Sequence, residues 1–126
     1  MDLIIRNICE LPVNFSVNNK SPLQLAMESG FLNYNKEIKP VLIKKYLENH
    51  PHLIEEWIIW SENKRTDKGY FLQLGDKFIV GYIDSTKKGL MKTIEYKTAL
   101  DACSDFILLE ICSILNIKDT GNTNDL

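Results

Sequence analysis

Two histidines flank a proline in His50-Pro51-His52, two acids stand side by side at Glu55 and Glu56, Asp101 and Asp105 lie four residues apart, and the cysteines are Cys9, Cys103 and Cys112. These residue types hold metals, move protons or attack carbonyls elsewhere, so their spacing decides what they do here. A His-x-His pair needs further ligands, and Pro51 spoils helical i, i+4 geometry while no third ligand lies near in sequence. Both histidines therefore read as surface residues at a helix junction. Adjacent acids on a helix point about 100° apart, and i, i+4 acids on a polar edge form a solvated face, so neither carboxylate pair makes an acid/base couple. Ser61 has no nucleophile-elbow context. Cys103 and Cys112 stand nine positions apart in one predicted helix, beyond disulfide reach at about 1.5 Å rise per residue. Reduced, buried thiols are expected. No catalytic residue, no metal and no cofactor is expected.

The elements that would position these groups can be read along the chain. Residues 3–5 form a short β-like run, after which Pro12, Asn14, Asn18 and Asn19 favour a loop. Ser21 can cap a helix over 22–29, with Pro22 in its first turn, Gln24 at capping-box spacing and Gly30 as a stop. Pro40 opens a second helix whose apolar positions are Val41, Leu42, Tyr46 and Leu47, leaving Lys44 and Lys45 to water. A third helix starts near Pro51. On a wheel, Leu53, Ile54, Trp57, Ile58 and Trp60 share one face, while Glu55, Glu56 and the apolar Ile59 fall on the other.

The stretch 53–83 is the most informative in the chain, because that third helix runs through the polar segment 61–68 into a strongly marked hairpin. Residues 69–74 and 77–83 favour β structure, and Gly75-Asp76 between them reads as a two-residue turn. The resulting register sets Leu72 against Ile79, Tyr70 against Gly81 and Phe71 against Val80, with large apolar groups on both faces. Such a sheet requires covering layers or a partner. A third strand follows at 90–96, and Thr98 can cap a long helix to about Asn116 that is apolar nearly all round, its polar edge being Asp101, Asp105 and Asn116. The expected fold is α+β: helices packed against a small three-stranded, mainly antiparallel sheet, with residues 1–117 as a single domain and 118–126 as a frayed tail.

Composition narrows the class. The chain has 126 residues, 44% apolar and 25% charged, ordinary values for a globular core with a solvated surface. A formal net charge of −2 supplies no basic stripe for phosphates, so no direct nucleic-acid ligand is expected. No signal peptide and no run of roughly 20 apolar residues is visible, so no membrane contact and a cytoplasmic location are expected.

What is left is recognition. Glu48, Glu55, Glu56 and Glu62 surround Ile59 as an acidic rim around an apolar contact, against the plainer reading of solvated helix acids. Trp57 and Trp60, on the inward face, read as core. Arg65 either tethers the loop between helix and hairpin or stands exposed at a binding surface. The candidate partner-binding set is Glu55, Glu56, Ile59, Glu62, Arg65 and Asp67.

The progression His50-Pro51-His52-Leu53-Ile54, Trp57, Trp60-Ser61-Glu62-Asn63-Lys64-Arg65-Thr66, Gly69-Tyr70-Phe71, then Ala102-Cys103-Ser104-Asp105-Phe106-Ile107 and Glu110 resembles small bacterial immunity proteins of contact-dependent growth inhibition and related polymorphic toxin systems. The similarity spans roughly residues 21–115. It implies a cytosolic inhibitor that binds the C-terminal domain of one cognate toxin, a nuclease in the favoured reading, stoichiometrically, as a monomer or weak homodimer and without turnover. It assigns no interface residue. The rival reading is an intracellular adaptor or regulatory domain that buries a hairpin face of Phe71, Phe78, Val80 and Tyr82 in a homodimer or in contact with a host protein.

Overall fold

The computed structural model describes residues 1–64, 68–87 and 90–118. Its N-terminal segment departs most from expectation. Residues 3–5 are not a β-like run but part of α1 (Asp2–Cys9), and α2 (Leu11–Val17) replaces the expected loop. Ile4, Ile5, Ile8, Cys9 and Leu11 are all buried, and their spacing puts them on one helical stripe that tertiary burial rewards over local turn propensity. Pro12 fits because it stands in the first turn of α2, where its missing N–H has no intrahelical partner to lose.

α3 (Pro22–Glu28) begins as expected, with Ser21 Oγ accepting the Gln24 N–H at 3.1 Å. The Gln24 side chain turns instead to Glu28 at 3.1 Å, so only half of a capping box forms. Gly30 stops the helix at φ +90°, and a Cβ there would sit 3.1 Å from Ile4 Cγ1, so this glycine serves both the turn and the close approach of α1. A short α4 (Phe31–Tyr34) follows, unanticipated, with Phe31 fully buried.

α5 (Pro40–Asn49) has the expected span but a rotated inner face. Ile43 and Leu47 are buried, Val41 is exposed, and Lys44 Nζ lies 2.8 Å from Asp101 across the seam to the last helix, while Lys45 faces water. α6 (His52–Asn63) divides as its wheel predicts: Leu53 and Trp57 are buried, Ile54, Ile58 and Trp60 are half-buried, and Glu55 and Ile59 are exposed.

Three antiparallel strands, β1 (Lys68–Leu74), β2 (Phe78–Asp84) and β3 (Leu90–Tyr96), form a meander in the order β1-β2-β3. The hairpin register differs by one residue from the expected one. Leu74 pairs with Phe78, Leu72 with Val80 and Phe71 with Gly81, leaving a three-residue loop in which the Gly75 N–H donates to the Lys77 carbonyl at 3.2 Å. Gly75 does not adopt the positive φ that a two-residue Gly-X turn requires, which is why the loop takes one residue more.

The slip re-sorts the faces. Leu72 and Val80 are buried on the inner face beside Tyr70, Leu74, Phe78 and Tyr96, and Tyr70 meets its partner Tyr82 edge-on at 5.0 Å between centroids. Phe71, Ile79, Ile83 and Met91 lie on the outer face, where the Phe71 ring covers Gly81 in the space a β-carbon would take. The set Phe71, Phe78, Val80 and Tyr82, expected together, is therefore split between two faces. Helices cover only the inner one, and Ile83 (42% exposed) and Met91 (60%) lie open on the other.

α7 (Ala99–Leu115) is the element on which the rest packs. Thr98 caps it by accepting the Asp101 N–H at 3.1 Å, and Asn116 closes it in the left-handed conformation at φ 56°. Ala102, Cys103, Phe106, Ile107, Leu108, Leu109, Ile111 and Cys112 are buried, as its all-round apolar sequence predicts. Glu110 is buried among them.

Candidate recognition groove

The residues with chemical potential are placed first by what they touch. Tyr46 stacks on His50 with centroids 4.1 Å apart, and His50 Nδ1 lies 3.0 Å from the Tyr46 carbonyl, while His52 is exposed. The Tyr46 hydroxyl donates to Glu10, which Arg6 also approaches at 3.6 Å. Burial, then that hydrogen bond, push the Tyr46 phenol up to about 12. Asp101 is held below the usual carboxylate range by Lys44, and Asp105 accepts from the Tyr96 hydroxyl at 2.8 Å, so both members of this pair hold structural partners.

All three cysteines are free and buried. Burial pushes the Cys103 thiol up to about 12 and raises Cys9 further, with Cys103 and Glu10 adding to the shift at Cys9. Both stay protonated in the fold. Iodoacetamide at pH 8 is expected to leave Cys9 and Cys103 unlabelled in native protein and to label them in denaturant, read by intact mass. The sign for stability follows. Thiols of the unfolded chain ionise above about pH 8.5, so the contribution of these two is full below that pH and is lost as pH rises through the folded values.

A different constellation surrounds the C-terminal end of α6. Glu110 directs one carboxylate oxygen to the Trp60 indole N–H at 2.8 Å and the other to Lys64 Nζ at 2.9 Å. Lys64 also donates to the Tyr70 carbonyl at 2.7 Å and lies 6.0 Å from the centroid of the Phe106 ring. Ser61 Oγ accepts the Leu72 N–H at 2.8 Å and donates to the Leu72 carbonyl at 3.4 Å. The last two turns of α6 are thus pinned to α7 on one side and to the edge of β1 on the other.

That anchoring gives a groove its shape. Pro12, Phe15 and Ser16 of α2, Pro22 at the start of α3, and Glu56, Ile59, Trp60 and Asn63 of α6, with Lys64 after it, line a depression of about 440 Å3. Its walls are mostly apolar. Phe15 stands edge-on to Trp60 with centroids 5.4 Å apart, and Trp60 in turn stacks edge-on to the buried Trp57 at 5.8 Å. Phe15 is 42% exposed and Ile59 45%.

Of the expected binding set, Glu56 and Ile59 line this groove, and Glu55 and Glu62 stand exposed on the neighbouring strip of the same helix. Glu55, Glu56 and Glu62 make no ion pair or side-chain hydrogen bond among the described residues. Arg65 and Asp67 lie outside the described residues. Trp57 is core, as expected, whereas Trp60 is both a bolt to α7 and a wall of the groove. Pro12, Phe15, Ser16, Pro22, Asn63 and Lys64 line the groove outside the expected set, and Glu110, also outside that set, anchors it. Phe15 and Pro12 were hidden by reading 6–20 as a loop, although the spacing of Ile4, Ile5, Ile8 and Leu11 signalled helix. Glu110 carried its own signal: a lone acid inside Phe106-Ile107-Leu108-Leu109-Glu110-Ile111-Cys112 must be buried and hence paired.

Among the described residues, an α+β fold carries a mostly apolar groove between α2 and α6. No family model, no curated protein and no solved structure matches the chain. No described helix is long and apolar enough to cross a membrane.

Proposed function

We propose that this chain is an immunity protein of the contact-dependent growth inhibition or related polymorphic toxin type, a cytoplasmic inhibitor that binds one cognate toxin domain stoichiometrically without turnover or cofactor. The observation that carries the proposal is the groove between α2 and α6, apolar within and flanked by the carboxylates Glu55, Glu56 and Glu62, which form no ion pair among the described residues. A nuclease domain needs a cationic cleft for its substrate, and an inhibitor that offers acids around an apolar anchor gains association rate and specificity against it. The test is co-expression with the product of the gene immediately upstream, which the proposal expects to carry the toxin domain. Growth rescue and a 1:1 complex are expected, and failure of both overturns the proposal. Reversing the charges in the double variant E55K/E56K is expected to weaken that complex at least about 30-fold, the equivalent of ~2 kcal/mol, with an unchanged melting curve.

The open outer sheet face, with Phe71, Ile79, Ile83 and Met91, favours a second reading, an adaptor domain that pairs as a homodimer through that face. Solution mass by sedimentation equilibrium separates the two.

A further inference from the structure

We infer that the groove between α2 and α6 is a receptor for one face of a basic amphipathic helix, whose large apolar side chain enters between Phe15 and Ile59 while its lysines or arginines meet Glu55, Glu56 and Glu62. The inference rests on α6 being the partner-binding surface and adds the chemistry and shape of what binds there.

The groove's polar atoms decide the charge of the occupant. The Trp60 N–H is committed to Glu110, Ser16 Oγ donates to the Val13 carbonyl at 2.7 Å, and the Lys64 ammonium is held by Glu110 and the Tyr70 carbonyl. The cation at the lip is therefore neutralised from within, while the carboxylates beside it have no described partner. Among the described residues an anionic ligand would find repulsion and no ammonium that is not already held; a cationic one would find complementary charge.

The walls decide its conformation. Both long sides are helices, α2 and α6, whose central backbone N–H and C=O groups already pair within each helix, so an extended segment finds no edge on which to add a strand. Side chains must make the contact. From Glu56 to Asn63 the lining follows α6 for about 10 Å, roughly two turns. That length matches the i, i+3, i+4, i+7 ridge by which an amphipathic helix enters a groove. A volume of about 440 Å3 suits such a ridge and lies near the small end of ligand sites.

The probe is a synthetic helical peptide of leucine and lysine alone, with leucines at i, i+3, i+4 and i+7, titrated into the full chain with tryptophan emission as readout. Its counterpart with glutamate for every lysine, and an oligolysine of equal length, are the comparisons. Saturable binding of the leucine–lysine peptide is expected, with both comparison peptides at least about tenfold weaker. I59D and E56K are expected to weaken it by a similar factor, whereas I83D on the outer sheet face leaves it unchanged. The replaced side chains are exposed or half-buried, and melting curves confirm that each variant is folded; F15A supplies a second groove variant if I59D is not. No saturable change, equal binding of oligolysine, or equal loss in I83D overturns the inference. Neutralisation of the toxin without peptide binding sinks the inference and spares the function; peptide binding by a chain that neutralises nothing does the reverse.

Discussion

Replacing Glu110 by alanine is expected to destabilise the protein by about 3–5 kcal/mol, because it leaves the Lys64 ammonium without its counter-charge in a largely buried setting and strands the Trp60 N–H. The side chains of Glu110 and Lys64 are 4% and 20% exposed, so solvent does little to substitute for the lost partner. E110Q is expected to cost less, since an amide oxygen still accepts from one donor. The double variant E110L/K64M is expected to lie closer to the parent than E110L alone, since removing both charges removes the unpaired group. Urea unfolding followed by tryptophan emission reads all of these. If E110A unfolds at the parental midpoint, the network is not what fixes the end of α6.

Trp57→Ala is expected to cost about 3–5 kcal/mol for the cavity alone, a large share of the ~5–15 kcal/mol typical of a domain. The indole is fully buried, meets Phe106 edge-on at 6.0 Å between centroids, and donates to the Cys9 carbonyl at 2.8 Å. That hydrogen bond ties α6 to the end of α1 across 48 residues of chain. W57F separates the two contributions. It keeps an aromatic ring but removes the donor, and about 1–3 kcal/mol of destabilisation is expected from leaving the carbonyl unsatisfied. Thermal melts of the three proteins give the comparison, and a W57F melt indistinguishable from parent would reduce the indole to space filling.

Where local chemistry and burial agree, the structure was legible in the residues. Ser21, Thr98 and the apolar run of α7 announced their helices, the wheel of α6 separated Trp57 from Ile59, and the strand at 90–96 stands where β-favouring residues put it. Where they disagree, tertiary contacts prevail. Pro12 and the asparagines near it suggested a loop, but the buried stripe from Ile4 to Leu11 made helices of the same segment. The hairpin shows a subtler failure. Two strands and their turn were recognised, yet register depends on the φ of Gly75, which sequence does not dictate, and one residue of slip moved Phe71 from opposite Val80 to cover Gly81. Of the groove, the α6 half was visible and the α2 half was not, because Phe15 gains its place only once the first helices fold back on Trp60.

The side chains of Ser61 and Lys64 occupy the outward backbone groups of Tyr70 and Leu72, midway along the rim of β1. Strand addition at that stretch of the flank is sterically and chemically blocked, and β3 forms the sheet's other rim. Cross-β growth from the β1 flank of the folded state is thereby opposed, at the modest expense of one hydroxyl and one ammonium.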